Sequence, residues 1–309
     1  MRHLVTISVL ILVIIGLTIG CDATNPAVVD DSPPIDVNSQ IYDTTGVANG
    51  LTFVDGMPRV STQEYLYSIS EGFIPGHYIW VKTGYNPNVG TTEETVWGYS
   101  TEYTFPTAPI RMEVVSSDNT KDIPGGTGAI TLYITYLDGN YVQHIETIAL
   151  NGTTTVGTTA TDIFRVNNFR CASVGADGKP TGNITLRAFG GGTVYSYILA
   201  GYTRARNIVY TVPADMTLYI TSSMWSCAEA AKGVRFINKA TYDDANDAML
   251  TPGIFFMPFG ESTLYNTALL RQLEVPTKLP EKTDIKVTTI STQAGAIADI
   301  VLRGWLEDN

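Results

Sequence analysis

Few side chains in this sequence combine the type and the spacing that catalysis requires. The 309 residues include three histidines, His3, His77 and His144, and contain neither a His-x-x-x-His pair nor a Gly-x-Ser-x-Gly motif. The first pattern supplies zinc ligands in metallohydrolases, and the second holds the nucleophile of α/β-hydrolases. The sequence therefore singles out no catalytic residue, and we expect a protein that is not an enzyme.

An acidic cluster offers the best metal ligands in the chain. Asp243, Asp244 and Asp247 lie within five positions of one another. Carboxylate oxygens on a loop are the ligands that calcium prefers, so the cluster predicts a structural calcium site, although its spacing does not match an EF-hand loop. Asp118 and Asp122 belong to a second candidate set. Calcium is the only cofactor that the sequence indicates.

Aromatic side chains are concentrated between residues 78 and 103. Exposed tryptophan and tyrosine rings on β-sandwich loops can stack on the flat apolar face of a sugar ring. The candidates for such a ligand-stacking surface are Trp80, Tyr85, Trp97 and Tyr99. The alternative, which we favour, is that the tryptophans fill a core or a subunit interface.

Two cysteines, Cys171 and Cys227, remain once Cys21 is set aside. In an exported chain they could form a disulfide, which would restrain the unfolded chain. The alternative is two separate buried thiols, each acting as a small apolar side chain. The sequence contains no Cys-x-x-Cys pair and no histidine near either cysteine, which argues against a metal site.

The N-terminus has the pattern of an export signal. Arg2 precedes an apolar run over residues 4–19, which Gly20 and Cys21 end. The run is shorter than the roughly 20 residues of a comfortable membrane span, and Cys21 stands where a bacterial lipoprotein would be lipidated. Simple secretion, an uncleaved anchor and a virion-embedded segment remain alternatives. The sequence predicts a location in a virion or at a cell surface, with membrane attachment through the N-terminus.

Composition narrows the fold class and the partners. Charged residues make up 16% of the chain, hydrophobic residues 44%, and the net charge is −11. Such a chain can bury a sizeable core but lacks the clustered lysines and arginines that bind phosphates, which argues against nucleic acid as a partner. Frequent threonine, tyrosine and glycine favour strands and turns.

Alternating apolar residues place the strands. Residues 130–137 alternate cleanly, and Asp138-Gly139 predicts a turn into a partner strand over residues 141–150. Further short strands follow at regular intervals, separated by turns that contain glycine, which is typical of a β-sandwich or jelly roll. The composition of residues 266–273 instead favours a short helix.

These elements predict an all-β protein with two tandem β-sandwich or jelly-roll-like domains, which follow an N-terminal signal or anchor segment and a flexible spacer. The expected divisions are a signal or anchor (1–21), an acidic flexible spacer (22–40), an irregular aromatic-rich β region (41–109), a first sandwich (110–200) and a second sandwich (201–309).

Several short segments carry a resemblance to a known family. They are Trp97-Gly-Tyr-Ser, Tyr103-Thr-Phe-Pro106, Gly125-Gly-Thr-Gly-Ala129, Glu146-Thr-Ile-Ala-Leu-Asn-Gly-Thr153, Tyr210-Thr-Val-Pro213 and Leu279-Pro-Glu-Lys-Thr-Asp-Ile285. Through them, residues 97–309 resemble β-sandwich virion proteins of marine tailed phages and uncultured viruses. The resemblance implies a structural or surface component of a virion with no catalytic residues. The export signal departs from the usual pattern of tailed phages.

Two functions follow as expectations. The first is a non-enzymatic structural protein that forms homo-oligomers, alone or with other virion or surface proteins, and builds a virion or a surface layer. The alternative is a surface-anchored, lipoprotein-like module that binds glycans through the aromatic residues named above.

Overall fold

The computed structural model describes residues 51–54, 57–60, 65–228, 232–243, 248–250, 254–255 and 260–309. Cys21, the signal and the spacer lie outside the described residues. Nearly all regular structure is antiparallel β-sheet, so the all-β prediction is confirmed. The elements are β1 Leu51–Val54, β2 Met57–Val60, α1 Tyr65–Ser70, β3 His77–Val89, β4 Glu94–Thr95, β5 Met112–Ser116, β6 Ala129–Leu137, β7 Gln143–Ala149, β8 Val156–Gly157, β9 Arg165–Val174, β10 Ile184–Ala188, β11 Val194–Ile198, β12 Val209–Thr211, β13 Met216–Cys227, β14 Gly233–Ala240, β15 Tyr242–Asp243, β16 Ala248–Met249, β17 Glu261–Tyr265, β18 Ala268–Leu279, β19 Asp284–Ser291 and β20 Ala296–Asp308.

The chain divides into two compact units, residues 1–62 and residues 63–309. Strands β1 and β2 pair with each other as an antiparallel hairpin in the first unit. All other elements belong to the second unit.

The first sandwich of the second unit packs the sheet β11-β10-β5-β8 against the sheet β7-β6-β9. Its core contains Leu132 and Ile134 from β6, Phe169 from β9, and Ile184 and Leu186 from β10, all at most 1% exposed. Successive strand residues point to opposite faces of a sheet, so the alternation of β6 buries one row of its side chains. These contacts hold the two sheets of the first sandwich together.

The predicted hairpin over residues 130–150 is confirmed, since β6 and β7 pair from Thr131–Ala149 to Leu137–Gln143. The turn differs from the simple Asp-Gly type. Tyr141 N donates to Asp138 O at 2.9 Å, and Tyr141 has a φ of 65°. A residue in this left-handed region usually closes a three-residue hairpin loop as glycine. Tyr141 therefore adopts a left-handed backbone conformation that is strained for a residue with a side chain.

The second sandwich packs the sheet β12-β19-β14-β17 against the sheet β18-β13-β20-β3. Its core includes Trp225, Phe236 and Ile300, each at most 1% exposed. Ala205 belongs to the core of the first sandwich and Ile208 to that of the second, so the change between cores falls near residue 206.

The region predicted as irregular and rich in aromatic residues, residues 41–109, contributes two regular strands to the second sandwich in its described C-terminal half. Strand β3 pairs along nearly its whole length with β20, and β4 pairs with β19. Trp80 and Val89 of β3 lie in the core of the second sandwich. The region lacks a clear alternation in sequence because both faces of β3 carry aromatic or branched side chains.

The helix expected over residues 266–273 is wrong. This segment enters β18, where main-chain pairing with β13 overrides its weak helix propensity. A six-residue helix, α1, lies instead at Tyr65–Ser70. Among the described residues, no helix has the length and hydropathy to cross a membrane.

Candidate functional site

The four aromatic side chains predicted to stack on a ligand do not form one surface. Trp80 is 6% exposed and packs edge-on against Tyr210, with ring centroids 5.2 Å apart. Trp97 is 2% exposed and contacts Tyr103 and Tyr99 at 5.2 and 5.4 Å. A buried indole has no free face for a sugar ring. The favoured alternative, packing in a core, therefore describes both tryptophans.

The two tyrosines of this set are half-buried and lie in different surroundings. Arg206 lies over the ring of Tyr85, 4.7 Å from its centroid. Tyr99 packs against Trp97 on one side and Tyr197, at 5.1 Å, on the other. The rings of both tyrosines are thus engaged by the protein itself.

The two cysteines are not joined by a disulfide, which corrects that possibility in favour of the alternative, two separate buried thiols. Cys171 lies in the core of the first sandwich and Cys227 in the core of the second. Burial raises the pKa of the Cys171 thiol to about 11, so it stays protonated at neutral pH. The two cysteines do not pair because they lie on strands of different sandwiches, β9 and β13.

The predicted calcium cluster lies mostly outside the described residues. Asp244 and Asp247 are not described, and Asp243 is 8% exposed at the start of the gap. Within the described parts of the chain, no group of three metal-ligating side chains is close enough to hold an ion. The structure therefore gives no geometry for this site.

The second candidate set for calcium, Asp118 and Asp122, instead forms hydrogen bonds within the first sandwich. The buried Asp122 carboxylate accepts hydrogen bonds from Ser116 Oγ at 2.7 Å, Ala129 N at 2.9 Å, Thr181 N at 3.0 Å and Gly182 N at 2.8 Å. These four donors saturate its oxygen atoms, which corrects the expectation that it binds calcium. The carboxylate holds three separate segments of the first sandwich together.

Asp118 has a local role in the same loop. Its Oδ1 accepts hydrogen bonds from the main-chain N–H groups of Thr120, at 2.9 Å, and Lys121, at 2.6 Å. These hydrogen bonds lower the pKa of the Asp118 carboxyl. The residue stabilises a turn, as aspartate commonly does.

The two described histidines each lie beside one carboxylate at the surface. His144 Nε2 is 3.1 Å from Asp138 Oδ2, and its ring stacks on Tyr136. His77 Nε2 is 3.5 Å from Glu307 Oε2. Neither contact includes a serine, threonine or cysteine nucleophile.

A buried ion pair that the sequence did not single out joins the two sandwiches. Arg165, at the start of β9, donates from Nε and Nη2 to the two carboxylate oxygens of Asp284, at the start of β19, at 2.8 Å each. Arg165 Nη1 also donates to the main-chain oxygen of Pro106 at 2.8 Å. Thr211 Oγ1 donates to Asp284 Oδ1 at 2.5 Å. The side chains of Arg165 and Asp284 are 6% and 9% exposed.

An aromatic cavity of about 420 Å³ opens beside this ion pair. Its rings come from Tyr103, Phe105, Tyr141 and Phe164, and the Arg165 guanidinium lies 3.9 Å from the centroid of the Phe164 ring. The stacking of the Arg165 guanidinium on Phe164 strengthens the contact between the two sandwiches. Because Asp284 neutralises Arg165, the ion pair leaves little free charge for a ligand.

The outer face of the sheet β18-β13-β20-β3 is an apolar surface that the described side chains leave uncovered. Pairing places Leu270 of β18 beside Met224 of β13, and Met224 beside Val301 of β20. Ile79 and Val81 continue the face on β3 and are 45% and 52% exposed. We call these five side chains the outer face.

Only one end of the outer face has a described covering. There the ring of Tyr65, from α1, lies 4.9 Å from that of Trp305, which stacks on Tyr219. Leu270 is 58% exposed, and no second layer of described residues packs over it. Arg303, which is exposed beside Val81, interrupts the outer face. Exposed apolar surface rimmed by polar residues marks interaction sites in soluble proteins.

The edge of the same sheet carries a bulge. Thr277 pairs with Ile220 and Gln272 with Ser222, so four residues of β18 stand opposite a single residue of β13. Val275, in this bulge, is 79% exposed. Bulges and prolines such as Pro276 limit indiscriminate pairing of an edge strand, so the face of the sheet is the better surface for a partner than its edge.

No protein-family model and no curated protein matches the chain. Among solved structures, the chain is similar to that of the Gt strain of infectious bursal disease virus, with 10% identity over 80% of this chain and 83% of that chain and a TM-score of 0.18. A mutant VP2 protein of the same virus, from derived T=1 particles, gives 10% identity, coverages of 81% and 80% and a TM-score of 0.19.

The structure of the Gx strain gives 13% identity, coverages of 75% and 76%, and a TM-score of 0.18. All three structures come from infectious bursal disease virus, and none comes from a marine phage. Similarity at these TM-scores carries no argument about the function of this chain.

Proposed function

We propose that this chain is a structural protein that assembles with further copies of itself, as a component of a virion or a surface layer. The observation that carries the proposal is the outer face, where Leu270, Met224 and Val301 form an apolar row across three strands. The partner that covers this face is a second copy of the chain.

The dimensions of the face support such a contact. Strands β13 and β20 are 12 and 13 residues long. At about 3.3 Å per residue and about 4.8 Å between strands, four strands present a footprint of roughly 40 by 19 Å, or about 750 Å². A standard interface buries about 800 Å² on each partner. Two copies that packed over this whole side of the sheet, including the polar neighbours of the outer face, would therefore bury an area in the range of a stable dimer.

The location follows from the sequence. The resemblance of residues 97–309 to virion β-sandwich proteins supports a place in a particle, and the apolar run over residues 4–19 supports attachment to a membrane or export. The alternative glycan-binding function loses its main support, because Trp80 and Trp97 are buried.

Sedimentation velocity on purified protein variants tests the proposal. Leu270→Glu places a charge on the outer face beside Met224, and we expect it to convert the oligomer to monomer without changing the circular dichroism spectrum. Ile145→Glu is the matched control, because Ile145 is 66% exposed on β7 of the other sandwich. A charge that must be desolvated at an interface strongly opposes association, whereas one that stays in water does not. An oligomer that persists in Leu270→Glu would overturn the proposed surface.

A further inference from the structure

A cavity of about 250 Å³ lies where the free edge of β3 faces the first sandwich. Strand β3 contributes Lys82 and Thr83 to its lining, while Asn168 and Arg204 come from the first sandwich. Ile79 and Val81, which belong to the outer face, also line the cavity, so it opens at the border of that face.

Two cationic side chains line this cavity without a carboxylate. Lys82 follows Trp80 and precedes Gly84 on the inward-facing row of β3, and its Nζ donates to the main-chain oxygen of Asn167. Arg204 is exposed at the cavity. Across the described residues, no salt bridge includes Lys82 or Arg204. An ammonium group has three N–H donors, so two of those of Lys82 remain for a ligand.

The rest of the lining is uncharged and combines polar side chains with the apolar Ile79, Val81 and Ala205. Hydroxyl and amide groups that can donate and accept hydrogen bonds come from Thr83, Thr135, Gln143 and Asn168. Trp80 and Tyr210 also line the cavity, but both are buried in the core of the second sandwich and leave no free ring face. Aspartate and glutamate are absent from the described lining. This combination suits a small molecule with one negative charge and several hydroxyl groups.

We propose that the cavity binds an acidic sugar, with its carboxylate held by Lys82 and Arg204 and its hydroxyl groups by the amides and threonines. A carboxylate accepts charge-assisted hydrogen bonds from both cations, which are about twice as strong as neutral ones. The two cations that carry the site, Lys82 and Arg204, do not belong to the outer face, so variants at these positions test binding separately from self-assembly and either proposal can fail alone.

The ionisation of Lys82 makes the proposed binding sensitive to pH. Burial lowers the pKa of Lys82 to about 7. The other ionisable groups of the lining are Arg204, which stays charged, and Tyr210, whose pKa is raised by burial so that it stays neutral. A carboxylate binds the ammonium form. Its affinity is therefore greatest below pH 7 and falls by up to about tenfold per pH unit above it.

Isothermal titration calorimetry of the purified protein with sodium glucuronate, glucose and inorganic phosphate tests the site. We expect glucuronate to bind at pH 6.5, to bind about 100-fold more weakly at pH 9, and to exceed glucose at pH 6.5 by at least about tenfold, which is the contribution of a charged hydrogen bond. Equal binding of glucose would overturn the role of the cations. Binding of phosphate without glucuronate would overturn the sugar assignment.

Variants locate the binding. Arg204 is exposed, so Arg204→Gln leaves the cores intact. We expect this variant to weaken glucuronate binding by at least about tenfold. Lys82→Met should weaken binding similarly at pH 6.5 and abolish its pH dependence. Lys278→Gln, which removes an exposed positive charge on β18, is the matched control and should bind as the unchanged protein does. Unaltered affinity in Arg204→Gln would overturn the proposal even where Lys82→Met fails to fold.

Discussion

Removing one partner of the Arg165–Asp284 ion pair should destabilise the whole two-sandwich unit. Arg165→Met deletes two 2.8 Å hydrogen bonds to the Asp284 carboxylate and one to Pro106 O. Asp284 then keeps the hydrogen bond from Thr211 Oγ1 but remains charged and buried. An uncompensated buried charge costs about 3–5 kcal/mol of unfolding free energy.

A double-mutant cycle separates the ion pair from the packing of the arginine stem. Asp284→Asn alone should cost a similar amount, because it leaves the buried guanidinium without its counter-charge. In the double variant Arg165→Met/Asp284→Asn neither charge remains. Its loss of unfolding free energy should therefore be smaller than the sum of the two single losses by at least about 2 kcal/mol. The sign of this coupling is the signature of a buried pair.

Urea unfolding followed by tryptophan fluorescence measures all three variants. The matched control is Arg235→Met, because Arg235 pairs with Glu261 at the surface, where the two side chains are 47% and 43% exposed. Exposed pairs contribute at most about 1 kcal/mol. Equal losses in Arg165→Met and Arg235→Met, or additive losses in the double variant, would refute the reasoning.

Three further perturbations test other parts of the structure by the same unfolding assay. Asp122→Ala removes the acceptor of four hydrogen bonds and should cost at least about 3 kcal/mol, whereas Asp118→Ala, at an exposed turn, should cost less; equal losses would contradict the assigned roles. Gly84→Ala would place its Cβ 2.7 Å from Ile208 Cβ and should cost about 1–3 kcal/mol through overpacking; an unchanged midpoint would show that β3 packs differently. Because the pKa of Lys82 is lowered to about 7 in the folded protein, the unfolded chain binds more protons between pH 7 and 10. Its contribution therefore makes stability rise with pH in this window, by up to about 1.4 kcal/mol per unit. Lys82→Met should lose that contribution. If the unfolding free energies of Lys82→Met and of the unchanged protein varied with pH in parallel, burial of the Lys82 amine would be contradicted.

The sequence predicted the elements whose burial repeats with a period of two. Residues 130–137 bury every second side chain against the first core, so their alternation is visible and the hairpin was found. Strand β18 lies at a sheet edge with most of its residues exposed, so its apolar residues follow no period and a helix was expected instead. Strand β3 was missed for a related reason, since its outer row carries Ile79 and Val81 rather than polar residues.

The sites were less predictable because they depend on pairs that are distant in sequence. Arg165 and Asp284 are separated by 119 residues, and no local pattern connects them. Each of the two charged residues opens a strand, but both strands also contain other polar residues, so the sequence did not mark the pair. Lys82 looks like an ordinary strand lysine until β3 is placed beside β9. The aromatic set was noticed from its composition, but composition cannot distinguish a buried indole such as Trp97 from an exposed one.

Static light scattering of the purified protein over a concentration series tests the central claim of self-assembly most directly. The account predicts a mass that is a defined multiple of the 33.5 kDa chain, or one that grows with concentration as a lattice forms. A mass that stays at one chain up to the solubility limit would contradict it.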